Sequence, residues 1–68
     1  MRKVTLLQHK EDVDSPKAYK LRNRIDKDKV IWVAKSQVKH ISRDPWDNAG
    51  LRTVTVTISD WLADKLEL

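Results

Sequence analysis

With 68 residues, 40% hydrophobic and 35% charged, the chain sits near the size at which a single core is marginally sufficient, and a deep catalytic cleft is not expected. One glycine, two prolines and a patterned apolar content argue against a flexible low-complexity segment. No apolar run approaches the roughly 20 residues of a membrane span, and the lack of cysteine excludes disulfide and thiolate sites. The expectation is one soluble, non-exported, cytoplasmic domain over residues 1–68. The net charge of +4 is unevenly spread. Residues 1–43 carry twelve Lys or Arg against five Asp or Glu, a net of +7; residues 44–68 carry two against five, a net of −3. An anionic partner is therefore drawn to the first part, although +4 alone is ordinary for a soluble protein.

In chain order, the first expected strand covers about residues 3–10. Residues 18–25, AYKLRNRI, alternate Tyr19, Leu21 and Ile25 against Lys20, Arg22 and Arg24, which predicts a second strand. A helix competes there, because Ser15-Pro16 suits a helix start and Ala18, Leu21 and Ile25 have helical spacing; the short gap to the next apolar run favours the strand. Asp26-Lys27-Asp28 then reads as a hairpin connection. The next strand, about 29–35, is apolar on both faces and suits a central position covered on both sides. Lys35-Ser36-Gln37 reads as a local turn, and 38–42 as a weaker strand. Asp44-Pro45 starts a turn that carries Trp46. The clearest strand is 52–58, where Val54, Val56 and Ile58 alternate with Thr53, Thr55 and Thr57. Ser59 is a good N-cap for a short helix over about 60–67, with Leu62 and Leu66 one turn apart and Trp61 expected in the core. The fold expected is mainly β, a small α+β protein: a strongly bent antiparallel sheet, or an SH3- or OB-like barrel, of about five short strands with one C-terminal helix.

The stretch Trp32-Val33-Ala34-Lys35-Ser36-Gln37-Val38, followed by Val56-Thr57-Ile58-Ser59-Asp60-Trp61-Leu62-Ala63-Asp64-Lys65, resembles short, mostly uncharacterised phage and prophage proteins. Those proteins read roughly W-[IL]-P-K-S-Q-[IV] and end in a strand running into E-W-[LF]-A-E-K. The resemblance covers about residues 17–68 and leaves the first strand outside. Ala34 stands where proline is usual, and the chain ends Leu66-Glu67-Leu68 instead of in a glycine-containing tail. The resemblance implies a phage origin, the host-cell cytoplasm, and a setting among DNA replication and recombination genes. It implies no mechanism.

Lys20, Arg22 and Arg24, spaced by two on a strand, would leave one face about 6 to 7 Å apart, comparable to the phosphate repeat of an extended single strand. Lys27, Lys29, Lys35 and Lys39 extend the candidate patch, and Trp46 or Tyr19 offers a stacking surface for an unpaired base. Against this stands a solvated sheet face or a lysine-guarded edge for the cations, and for Trp46 a lid over an open end of the core, the more ordinary role. His9 and His40 have no partner at zinc spacing, and the acidic clusters at 26–28 and 44–48 lack the glycine and terminal glutamate of a calcium loop. Ser36 or Ser42 near His40 has no accompanying oxyanion feature. No catalytic residue, metal site or cofactor is expected. The leading expectation is a small basic accessory protein binding single-stranded or duplex DNA without strong sequence preference. The alternative is an interaction module or inhibitor that docks on a host or phage enzyme through Trp46, the Thr face or an open sheet edge. A homo-oligomer is the third option.

Overall fold

The alternating run that ends at Ile58 lies at the heart of the sheet. In a computed structural model that describes residues 1–68, five strands form one antiparallel sheet: β1 Arg2–His9, β2 Ala18–Arg22, β3 Val30–Ala34, β4 His40–Arg43 and β5 Leu51–Ile58. They are followed by one helix, α1, Asp60–Lys65. The spatial order is β3-β2-β1-β5-β4, so the first and last strands pair along their whole length, from Arg2 opposite Ile58 to His9 opposite Leu51. β3 and β4 form the two edges. The expected local turn at Lys35–Gln37 is a single 3-10 turn, closed by the Val38 N–H donating to the Lys35 carbonyl at 3.2 Å, and it leads from one edge of the sheet to the other.

One face of this sheet is the core. Leu6 on β1, Leu21 on β2, Ile31 and Val33 on β3, and Val54, Val56 and Ile58 on β5 are buried together with Leu62 and Ala63 of α1. The alternation of β5 does what period-2 patterning dictates, with the three threonines left half-covered on the outer face. α1 begins where the sequence signals it: the Ser59 hydroxyl accepts the Leu62 backbone N–H at 3.2 Å, and Asp60 occupies the first turn. The helix ends at Lys65, two residues short of the expected span.

Four expectations need correction. β3 is an edge strand covered on one face only, because Val30, Trp32 and Ala34 point outward and are exposed. An apolar run does not reveal edge position, which depends on the order of strands distant in sequence. β2 is a strand, as preferred over a helix, but it stops at Arg22. The Asn23 side chain accepts the Ile25 and Asp26 backbone N–H groups and turns the chain away, leaving Ile25 90% exposed rather than in the core. β4 is shifted to His40–Arg43, with Val38 packed against the core before the strand begins. Trp61 is 65% exposed, since the buried stripe of α1 is Leu62, Ala63 and Leu66. Trp61 lies instead on the face it shares with Lys65, one turn on.

Candidate nucleic-acid interface

Strand pairing decides which of the basic residues act together. Lys20 and Arg22 do leave the outer face of β2 side by side, but both are engaged. Asp12, from the loop after β1, accepts two hydrogen bonds from the Arg22 guanidinium at 2.8 and 2.9 Å and one from the His9 backbone N–H at 2.9 Å. The Lys20 ammonium is 3.8 Å from the same carboxylate. The Asp12 side chain is only 2% accessible. The Arg22 hydrogen bonds, opposed by burial and assisted by the His9 N–H and the charges of Arg22 and Lys20, lower its pKa to about 2. The same contact raises the pKa of Arg22. This pair is a structural clamp that ties the loop to β2.

Arg24 does not continue the row, because it lies beyond the strand in the β2–β3 connection. With Lys27 and Lys39 it is exposed, and none of the three makes an ion pair. Lys29 is 3.7 Å from Glu67. Lys35 does not extend the outer patch: its ammonium lies 5.2 Å from the centroid of Tyr19, on the core side of β2, where Arg43 of β4 approaches the same ring at 5.5 Å.

Trp46 is 40% exposed, and its ring stacks on the Arg52 guanidinium at 4.1 Å. Arg52 extends the core face of β5 past Val54 and binds the side-chain oxygen of Gln8 through Nε and Nη2 at 3.0 and 2.7 Å. The Gln8 amide nitrogen in turn donates to Asp14 and to the Lys20 carbonyl. The indole therefore covers the polar end of the core, where a 3%-exposed glutamine is fully partnered. Its position follows from Asp47, whose Oδ1 accepts the Ala49 and Leu51 N–H groups, and from Gly50, at φ +77°. Trp46 is thus a cover whose partner is an arginine, with part of its ring still facing water.

The indole missed by sequence reasoning is Trp32. It stands opposite Lys20 on the outer face of β2 and β3, 50% exposed, with the Lys20 ammonium 6.0 Å from its ring centroid. Lys17 and Lys35 lie at one end of this strand pair, and Lys27 and Lys29 at the other. The strand between them, Val30–Ala34, spans about 13 Å at the usual strand rise, with Trp32 midway. Nothing in the apolar run around it marked it as exposed, but the charged residues flanking both ends of that run did mark it as a surface hairpin. All four aromatic residues of the chain carry a cation over the ring, Trp61 through Lys65 at 5.1 Å. No three His, Asp or Glu side chains lie together as a metal-binding group.

Fold and surface together define a class: a small antiparallel-sheet protein that displays indoles beside cations. The chain matches no protein family, no curated protein and no solved structure.

Proposed function

We propose that this protein is a binding protein, not an enzyme, and that it binds single-stranded nucleic acid without strong sequence preference, through the outer face of the β2–β3 hairpin. The observation that carries this reading is the half-exposed Trp32 beside Lys20, midway along a hairpin with Lys17 at one end and Lys27 at the other. A half-exposed indole on a strand pair accepts the face of any base, and the lysines at each end contact phosphates on either side of it. Lys27, Arg24 and Lys17 supply the mobile charge, while Lys29 is paired with Glu67 and Lys20 and Arg22 are mostly committed to Asp12. Counterion release then supplies much of the affinity. The resemblance of residues 17–68 to phage and prophage proteins is compatible with such a role in phage DNA replication or recombination.

The test is a titration with a labelled single-stranded oligonucleotide, followed by tryptophan quenching at low and physiological salt. Binding is expected to weaken steeply as salt rises, and Trp32→Ala to remove one base-stacking contact of about 1–3 kcal/mol, a loss of roughly 5- to 150-fold. Trp32 is too exposed for this change to disturb the core, so melting is expected to stay close to that of the parent. Absence of binding at low salt, or equal binding by Trp32→Ala, removes the proposal.

A further inference from the structure

β1 is paired along only part of one side. Its even-numbered residues direct their backbone groups to β5, as the Lys10 N–H to Gly50 C=O bond of 2.7 Å continues to do beyond the strand. Its odd-numbered residues direct theirs toward β2, and there the register holds only one pair, Leu7 opposite Arg22. The two strands diverge on both sides of that point. Toward the C-terminal end of β1 the opening is filled from within: the Asp14 carboxylate accepts the Lys20 N–H at 2.9 Å and the Gln8 amide reaches the Lys20 carbonyl at 3.4 Å. Toward the N-terminal end nothing fills it. The N–H and C=O groups of Lys3 and Thr5 face a groove of about 430 Å³, whose far wall is Arg24 and Ile25 and whose floor includes Val4 and Leu68. No backbone or side-chain group of the chain bonds to them.

We propose that this groove is a strand-addition site for an extended acidic segment of a partner protein. Two residues' worth of aligned, unused main-chain donors and acceptors is what an added strand requires, and the space left by the departing β2 is where it fits. The side chains of the added strand alternate. Those opposite Lys3 and Thr5 point outward, between the Lys3 ammonium and the Arg24 guanidinium, neither of which makes an ion pair. The one opposite Val4 points inward onto Val4 and Leu68. The other charges at the groove are already matched, Arg2 by Asp60 and Asp64 and Glu67 by Lys29. The free charge is positive, so the segment accepted is acidic–apolar–acidic.

A fluorescein-labelled peptide of alternating glutamate and valine, and its lysine–valine counterpart, test this by anisotropy together with residue-resolved hydrogen exchange. The acidic peptide is expected to bind, to slow exchange of the Lys3 and Thr5 amides about tenfold and to leave the Val4 amide, already bonded to β5, unchanged. Lys3→Glu is expected to weaken binding about tenfold, and Thr5→Pro, which removes a groove-facing N–H without touching β5, to weaken it at least as much. Should Thr5→Pro fail to fold, Lys3→Glu and the exchange map decide. Absence of binding, equal binding of the lysine peptide, or binding without protection of Lys3 and Thr5 overturns the proposal.

Discussion

Replacing Asp12 by asparagine isolates one carboxylate whose surroundings are fully specified. It accepts three hydrogen bonds of 2.8 to 2.9 Å, two of them from Arg22, and its side chain is 2% accessible. A carboxyl with a pKa of about 2 when folded and 3.8 when unfolded contributes up to about 2.5 kcal/mol at neutral pH. Because the Arg22 side chain of the pair is a quarter exposed and water screens it from that side, the expected loss in Asp12→Asn is about 1–2 kcal/mol. The folded pKa is depressed, so this contribution is fully present above pH 3.8 and fades as the pH falls toward 2. Urea unfolding of parent and variant across this range reads the difference directly, since the other carboxylates titrate alike in both. The gap is expected to shrink to about a third of its neutral value by pH 2.5. A gap that stays constant into acid, or one that is absent at pH 7, refutes the assignment of the clamp to the ionised form. The same variant frees Lys20 and Arg22 on the face that carries Trp32. Its affinity for single-stranded DNA is therefore expected to rise and its salt dependence to steepen.

Arg52→Ala leaves the buried Gln8 oxygen without its donor and Trp46 without its stacking partner. Thermal or urea unfolding is expected to show a loss of about 1–3 kcal/mol, with Trp46 fluorescence shifted to the red in the native state. Gly50→Ala meets only ordinary contacts, at 3.7 Å from Lys10 and 3.9 Å from His9, so its expected penalty of about 1 kcal/mol comes from the left-handed backbone alone. A loss of 3 kcal/mol or more in its urea unfolding free energy would mean that packing, not backbone, governs that turn.

What could be read from the sequence was whatever is written locally. The Thr/Val alternation of β5 fixes its two faces within six residues, and Ser59-Asp60 announces the helix that follows. Even the exposure of Trp61 was available locally: Leu62 and Leu66 define the buried stripe, and position 61 falls off it. The strand order was not local. β3 has the composition of a central strand and lies at an edge, which turned Trp32 from an expected core residue into the most accessible aromatic of the hairpin. The row Lys20-Arg22-Arg24 failed in two different ways. Arg24 was lost because Asn23 ends β2 with its own side chain, a turn signal present in the sequence but outweighed by the alternation. Arg22 was lost as a free cation because its partner, Asp12, comes from a loop ten residues upstream, and no periodicity links the two.

The pairing of β1 with β5 sets the order in which this chain can become a protein. The two strands that share the longest ladder are the first and the last of the five in chain order, so Arg2 pairs with Ile58 across all the strands between them in sequence. The hairpin of β2 and β3 is a local event; the core that buries it is not, because Val54, Val56 and Ile58 supply its centre. Folding is therefore governed by the closure of one long loop, which makes it slow for so short a chain. On the ribosome, the apolar faces of β1, β2 and β3 are synthesised well before the strand that covers them.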